Sequence, residues 1–243
     1  MTRERERASV TGGRTLETFA HTPQLNAWLY SQISAGVHGD VLEVGSGIGN
    51  MSRLLRPMAK RLVVTDTEPP YLSALRDAFR DDPQVEVAAY DLDDAPPPAV
   101  AAHRYDAIVA VNVIEHIADD AALVARLGDL LRPGGNLLVY VPACPFAFGP
   151  LDVALGHLRR YTRQTLTALL RSAHLDPGQP RYFNLLGLGG WLLTGRVLRR
   201  RLLERRSVDL FERMVPWLRL EDRVDLPLGL GLCTRATKPL ELV

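Results

Sequence analysis

Apolar residues along the chain follow two alternating patterns. Short apolar runs predict strands, and the longer segments between them, in which apolar residues return every three or four positions, predict helices. Strands are predicted at 41–44, 62–64, 85–89, 106–111, 137–141, 180–185 and 230–236. Helices are predicted at 22–35, 69–79, 118–131 and 162–173, and after Asn50, which is expected to cap its helix. This alternation predicts an α/β fold with a parallel sheet and right-handed crossovers.

The same pattern predicts how the chain is divided. Residues 1–20 begin with alternating charges and predict a mobile N-terminal tail, and residues 21–185 predict a ligand-binding core. Residues 186–229 do not follow the alternation, so we interpret them as a helical cap inserted over the substrate. Residues 230–243 then return to the core as its last strand.

Composition limits the kinds of partner. The chain has 243 residues, 47% hydrophobic and 23% charged, which is typical of a globular protein, and its net charge of +1 creates no general attraction for nucleic acid. The separated Cys144 and Cys233 exclude a disulfide scaffold and a cysteine zinc site. The most apolar stretch, 185–193, is shorter than the ~20 residues that span a bilayer. We therefore expect a cytoplasmic protein with neither a transmembrane segment nor a nucleic-acid partner.

The strongest chemical signal is the segment VLEVGSGIGN, residues 41–50. Its three alternating glycines let the backbone turn sharply after a strand and approach a ligand. A dinucleotide fingerprint, G-x-G-x-x-G, would need a glycine where this chain has Asn50. Glu43 would repel a pyrophosphate, but it would pair favourably with an ammonium group. This combination suits S-adenosylmethionine, which has an amino-acid end and no phosphate.

Acidic residues close the second and third predicted strands. Asp66 can accept hydrogen bonds from ribose hydroxyls, and Asp91 can accept one from an adenine amino group. Open α/β sheets bind ligands at this edge, beyond the carboxyl ends of their strands. The alternatives are that the glycines only form a tight turn and that the two aspartates only cap helices.

Four segments together resemble motifs of the class I S-adenosylmethionine-dependent methyltransferases. They are VLEVGSGIGN, VVTDTEP, YDAIVAVNVIEHIADD and LRPGGNLLVYVP. A fifth, GHLRRYTRQTLTALLRSAHL, resembles the subfamily near the ubiquinone-type small-molecule methyltransferases, and the whole resemblance covers about residues 20–240. It implies a doubly wound, seven-stranded, mostly parallel Rossmann-like sheet with a helical cap insertion, in which the last strand, 230–236, is antiparallel.

The resemblance also implies S-adenosylmethionine as the cofactor and assigns residues to it. No single one of these residues is obligatory for transfer, because methyl transfer depends mainly on positioning. The assigned residues are Glu43, Gly45, Ser46, Gly47, Gly49 and Asn112 for the methionine portion, Asp66 and Thr67 for the ribose, and Asp91 and Leu92 for the adenine.

Two histidines are placed to act as a general base. His116 follows the predicted fourth strand and His157 follows the fifth, and imidazole titrates near neutral pH. Arg160 and Tyr161 are predicted to contact the substrate. The alternatives are that His116 orients the next helix and that the loop of His157 anchors the cap. No metal-ligand spacing is found, so no metal is predicted.

The segment 191–206 carries six arginines among its last eleven residues. It is interpreted chiefly as a solvated cap helix. The alternatives are contact with an anionic or lipid-linked substrate, or with a membrane surface.

Three functions remain open at the level of sequence. The first is a methyltransferase that moves a methyl group from S-adenosylmethionine to a small organic acceptor, by in-line displacement on oxygen or nitrogen. The second is a nicotinamide-dependent oxidoreductase, against which Asn50 argues. The third is a module that binds the cofactor and transfers nothing. The sequence indicates neither the acceptor nor the oligomeric state.

Overall fold

One sheet organises the part of the chain that the computed structural model describes, residues 21–197 and 205–240. Its strands are β1 (Asp40–Val44), β2 (Arg61–Asp66), β3 (Val85–Ala89), β4 (Tyr105–Val111), β5 (Leu131–Pro142), β6 (Asp176–Pro177), β7 (Arg181–Phe183) and β8 (Gly231–Thr237). They lie in the order β3-β2-β1-β4-β5-β8-β6, and β7 also pairs with β8. The first five strands are parallel, and β8 is antiparallel to β5.

Two short strands share the outer position beside β8. β6 pairs with the end of β8, at Ala236 and Thr237, whereas β7 pairs with residues 231–233 at its beginning. Pro180 lies between β6 and β7 and has no backbone N–H to donate to a ladder. The eight strands therefore fill seven positions. The predicted α/β sheet with an antiparallel last strand is confirmed.

Helices cover both faces of the sheet. They are α1 (Pro23–Ile33), α2 (Ser52–Leu55), α3 (Pro69–Ala78), α4 (Pro98–Ala101), α5 (Asp120–Leu130), α6 (Pro150–Leu155), α7 (Arg163–Ser172), α8 (Leu185–Leu192) and α9 (Arg205–Leu218). Successive strand residues are buried on opposite faces, because side chains alternate along a strand. Val41 packs with α1, α3 and α9, and Leu42 packs with α5, α7 and α8. The sheet is thus doubly wound.

Several predicted elements have different bounds, and two of these differences have a clear physical cause. The helix after Asn50 is short, with Met51 and not Asn50 at its N-cap, and it tightens into a 3₁₀ turn at Arg56–Met58. Pro57 cannot donate a helical N–H, which explains the early end. Strand β5 begins at Leu131, six residues before the predicted 137, because Leu131 already pairs with Tyr105 across an irregularity in the ladder.

The predicted cap, 186–229, packs on both sides of the sheet. Leu188 of α8 belongs to the core on one face, and Val215 of α9 belongs to the core on the other. The predicted tail, 1–20, and residues 198–204 of the arginine-rich segment lie outside the described residues. None of the described helices has both the length and the apolar composition needed to cross a bilayer.

Candidate active site

The glycine turn follows β1 directly. Gly45, Gly47 and Gly49 have φ values of +65°, +55° and +83°, in the left-handed region that glycine enters without strain. At Gly45, a Cβ atom would lie 2.5 Å from Cγ2 of Val113, so a side chain is also excluded by packing. The turn therefore needs glycine both for its backbone conformation and for its approach to the loop after β4.

Glu43 lies on β1 beneath this turn. The residue is 3% exposed, and its Oε2 accepts a hydrogen bond from the Ser52 hydroxyl. Burial raises the pKa of Glu43 to about 7, against the hydrogen bonds from Ser52 and Ser46, and the nearby Asp66 carboxylate adds to the rise. No basic side chain of the described residues forms an ion pair with Glu43. A carboxylate in this position suits a ligand that brings its own positive charge.

Asp66 joins the end of β2 to the glycine turn. Its Oδ2 accepts from the Gly47 N–H at 2.8 Å, and its Oδ1 accepts from the N–H groups of Thr67, at 2.8 Å, and Glu68, at 3.1 Å. The Ser46 N–H donates to the Thr65 carbonyl at 2.8 Å. Asp66 and the glycine turn are therefore joined at the carboxyl edge of the sheet, with the buried Glu43 beneath them.

The predicted adenine and methionine contacts occupy different environments. Asp91 is exposed, and its Oδ1 accepts from the Asp93 N–H at 3.0 Å, so the local turn already uses this carboxylate. Leu92 is 7% exposed and belongs to the core. Asn112 is exposed at the end of β4 with φ of +53°, one residue before Val113, which packs against Gly45. The loops after β1 and β4 thus meet beside the turn.

A second group of side chains gathers around the two predicted histidines. The rings of His116 and His157 lie 4.9 Å apart between centroids, at 78°. The Leu158 N–H donates to the Glu115 carbonyl at 2.9 Å, which holds the loop after α6 against the loop after β4. Residues about forty positions apart are therefore neighbours in the fold.

Asp152, on α6, is the residue of this group that sequence reasoning missed. It is fully buried; its Oδ1 lies 2.8 Å from His157 Nδ1 and 2.8 Å from Arg160 Nε, and its Oδ2 accepts from the Gly149 N–H at 2.9 Å. Burial opposes ionisation, but His157 and Arg160 outweigh it and hold the pKa of Asp152 below its usual value. An acidic residue in the first turn of a helix was the available signal, and it indicates only a cap.

The carboxyl group of Glu115 is buried without a hydrogen bond to another residue of the described part of the chain. The residue is 0% exposed, and its Oε1 lies 3.9 Å from His157 Nε2. Burial raises the pKa of Glu115 to about 8; its own backbone N–H and Arg160 oppose this rise, and Asp152 adds to it. One ligand atom each from Glu115, His116 and His157 lies within 4.8 Å of the others. These three residues could together hold a metal ion, so the expectation of no metal stays an untested prediction.

The Nδ1 atom of His116 contacts a backbone carbonyl, and its Nε2 atom is the nitrogen that can accept a proton in the neutral ring. Nδ1 lies 3.1 Å from the Gly156 carbonyl, which can only accept, so Nδ1 carries the proton in the neutral ring. Desolvation, followed by the proximity of His157, lowers the pKa of His116, although part of the residue is exposed to solvent. His116 is therefore a neutral imidazole at neutral pH.

The predicted substrate residues are held in the interior. Besides its bond to Asp152, Arg160 donates to the Ala143 carbonyl at 2.8 Å and stacks 4.7 Å from the Trp191 ring centre. Tyr161 is 3% exposed, and its hydroxyl donates to Asp120 Oδ2 at 2.7 Å. Both residues hold the histidine loop in place, and their contact with substrate stays a prediction.

The sheet order and the helices on both faces define an α/β protein with a Rossmann-like fold, and the glycine turn and the acidic strand ends lie at the carboxyl edge of its sheet. A family model described as "Methyltransferase domain" matches residues 19–184, and the chain belongs to this family of methyltransferase domains.

Known proteins are similar to the chain over different lengths. A Mycolicibacterium smegmatis protein named "Probable S-adenosylmethionine-dependent methyltransferase" is 31% identical, over 69% of this chain and 65% of its own length. A ubiquinone biosynthesis O-methyltransferase of Xanthomonas axonopodis is 27% identical over 49% of this chain and 50% of its own. The chain therefore spans less than two thirds of these relatives. The structure of the N-methyltransferase NodS from Bradyrhizobium japonicum, in complex with S-adenosyl-L-homocysteine, has a TM-score of 0.57 at 18% identity, covering 88% of this chain and 84% of its own. This last likeness shows the fold.

Proposed function

We propose that the protein is an S-adenosylmethionine-dependent methyltransferase that acts on an oxygen or nitrogen of a small organic acceptor. The observation that carries the proposal is the buried Glu43 carboxylate, which lies beneath the glycine turn and forms no ion pair with a basic side chain of the described residues. A ligand ammonium would compensate the cost of burying this charge. The bound cofactor would supply a methyl group already activated by its sulfonium.

The same residues favour this cofactor over a nicotinamide dinucleotide. A pyrophosphate at the turn would bring negative charge close to Glu43 and Asp66. The position of a third fingerprint glycine is occupied by Asn50. In the proposal, Glu43 with residues 45–49 and Asn112 holds the methionine portion, Asp66 and Thr67 hold the ribose, and Asp91 and Leu92 flank the adenine.

The histidine pair supplies the proposed proton acceptor. Asp152 accepts a hydrogen bond from His157 Nδ1, which leaves the Nε2 lone pair directed towards the space between His157 and Glu115. His116 is held in the same tautomer by Gly156. An acceptor hydroxyl that loses its proton during attack, or an ammonium that must lose one before attack, can transfer it to either Nε2.

An exposed apolar stripe on α9 supports an acceptor that is lipid-linked. The stripe consists of Leu210, Met214 and Trp217, which recur at helical spacing, and Trp217 is 76% exposed. Val208 and Val215 are buried on the opposite face. An amphipathic helix with an outward apolar stripe is suited to lie on a bilayer surface.

The charges around this stripe point the same way. Glu212 accepts from the backbone N–H groups of Gln24 and Leu25, at 2.6 and 3.0 Å, and Asp222 accepts from the indole N–H of Trp28 at 3.0 Å. These acids are engaged in holding α1, whereas Arg213 and Arg219 are exposed. Asp209 is exposed as well, so the arginines beside the apolar stripe support an anionic headgroup or acceptor only as part of this proposal.

The experiment that tests this function is methyl transfer followed by mass spectrometry. We expect purified protein with S-adenosylmethionine to add 14 mass units per transfer to members of an acceptor panel of phenols and amines, each offered with a short and with a long apolar tail in anionic vesicles. Long-tailed acceptors should react faster. Binding of NADH without binding of S-adenosylhomocysteine would contradict the proposal, and equal rates for short and long tails would contradict its lipid-linked part.

His157→Ala is expected to lower turnover by at least ~100-fold for an acceptor that must lose a proton, because it removes a general base. Affinity for S-adenosylhomocysteine should change by less than ~2-fold, since His157 belongs to the second group of side chains and not to the glycine turn. Steady-state kinetics and calorimetry measure the two effects. His103→Ala, which alters a histidine beside Arg61, is the matched control. If neither His116→Ala nor His157→Ala slows the reaction, neither histidine is the base.

A further inference from the structure

We propose that Glu115, His116 and His157 form a binding site for one divalent transition-metal ion. One oxygen or nitrogen ligand atom from each residue lies within 4.8 Å of the other two. The distance of 3.9 Å between Glu115 Oε1 and His157 Nε2 is too long for a hydrogen bond. It is a separation that two ligands of a common ion can adopt.

Both histidines are arranged as metal ligands usually are. His157 Nδ1 contacts the Asp152 carboxylate, and His116 Nδ1 contacts the Gly156 carbonyl. Both partners are acceptors, so the proton of each neutral ring is on Nδ1 and the lone pair is on Nε2. Ligating histidines typically donate their other N–H to a carboxylate or carbonyl, which fixes the ring and strengthens the ligand.

The buried carboxyl group of Glu115 is a second, independent observation in favour of a metal site. Glu115 is 0% exposed, and neither of its carboxyl oxygens makes a hydrogen bond to another described residue. A carboxyl group buried in this way is costly to ionise, and a bound metal ion would compensate that cost. Arg160 favours the ionised form of Glu115 but forms no ion pair with it; its Nε and Nη1 are bound to Asp152 and to the Ala143 carbonyl, and its Nη2 has no hydrogen-bond partner among the described residues.

The ligand types indicate the class of ion. Two imidazoles with one carboxylate suit Zn²⁺, Mn²⁺ or Fe²⁺, whereas Mg²⁺ and Ca²⁺ prefer an all-oxygen set. Three protein ligands leave at least one position open to a substrate or water oxygen. If the proposed function holds, an acceptor hydroxyl in that position would lose its proton more readily; with the ion bound, the two histidines would serve as its ligands, and they would act as the base only in the metal-free protein.

The test is metal binding by the untagged full chain, freed of metal with a chelator and studied without cofactor. We expect calorimetry to show one equivalent of Zn²⁺ or Mn²⁺, and no binding of Mg²⁺ at the same concentrations. Glu115→Gln and His157→Ala should each weaken binding at least ~100-fold, and Asp152→Asn about 10-fold, because Asp152 only orients a ligand. His38→Ala is the matched control, since His38 also contacts a carbonyl but is exposed and is not among the three ligands.

A second readout separates a lost ligand from a lost fold. S-adenosylhomocysteine affinity and melting temperature should be preserved in Glu115→Gln, and Co²⁺ bound to the wild type should give visible absorption bands that this variant lacks. Absence of Zn²⁺ and Mn²⁺ binding in the wild type, or equal binding by Glu115→Gln, overturns the metal site. A protein that binds S-adenosylhomocysteine but no metal refutes only this inference, whereas one that binds metal but no S-adenosylhomocysteine refutes only the proposed function.

Discussion

Replacing Gly47 by valine is expected to raise the dissociation constant of S-adenosylhomocysteine by at least ~100-fold, about 2.8 kcal/mol. Gly47 has φ of +55°, which a β-branched residue adopts only with strain, and its N–H donates to Asp66 at 2.8 Å. Valine would move the turn, break this contact and fill space beside the proposed methionine subsite. Calorimetry measures the affinity.

The matched control for this change is Gly190→Ala. Gly190 lies in α8, where an added Cβ would meet nothing within 4 Å. The Gly190→Ala protein should therefore bind S-adenosylhomocysteine with an affinity within ~2-fold of that of the wild type. Far-ultraviolet circular dichroism verifies that the Gly47→Val protein is folded. Undiminished affinity in folded Gly47→Val protein would mean that the cofactor binds elsewhere.

Changing Glu43 to glutamine is expected to weaken S-adenosylhomocysteine binding by about 10- to 100-fold and to remove its dependence on pH. Burial raises the pKa of Glu43 to about 7, and only the ionised carboxylate pairs with the ligand ammonium. The wild-type affinity should therefore fall as pH is lowered through 7, by about 10-fold between pH 8 and pH 6. Glutamine cannot ionise, so the affinity of the Glu43→Gln protein for S-adenosylhomocysteine should be low and independent of pH between pH 6 and pH 8.

Two controls make this result specific. 5′-Methylthioadenosine lacks the ammonium group, so its affinity should be nearly the same for the wild type and for Glu43→Gln. Glu86→Gln alters a carboxylate on β3 that is not assigned to the site, and it should keep the pH dependence of the wild type. A pH-dependent affinity that persists in Glu43→Gln would show that another group titrates.

Local sequence patterns predicted much of the fold, because the formation of helices, strands and turns depends largely on residues that are close in sequence. Apolar runs and helical spacing indicated the first five strands and the helices that cover them. Thr162, where the helix 162–173 is predicted to begin, caps α7, since its side chain accepts from the Thr165 N–H at 3.1 Å. The glycine turn could also be predicted from the sequence, because glycine is the residue that adopts a left-handed backbone conformation without strain.

The group of side chains around His116 and His157 was harder to predict from the sequence. Glu115, His116 and His157 are visible as residue types, but their contact depends on a loop after α6 that reaches the loop after β4. Asp152 carries no signal of its own beyond a helix cap. Likewise, composition cannot show that Glu212 and Asp222 are engaged with α1 while neighbouring arginines remain exposed.

The sequence by itself determined the α/β class, the order of strands and helices, the glycine turn and the acids that close β2 and β3. These features follow from interactions between residues a few positions apart, so they can be recognised in the amino-acid sequence. Only the tertiary structure decided that the sheet edge beside β8 is split and that the predicted cap packs on both faces. It also decided that the buried Glu115, whose carboxyl group makes no hydrogen bond to another residue in the described ranges, faces two oriented histidines. Such contacts join distant segments, and they exist only after burial of the core has brought those segments together.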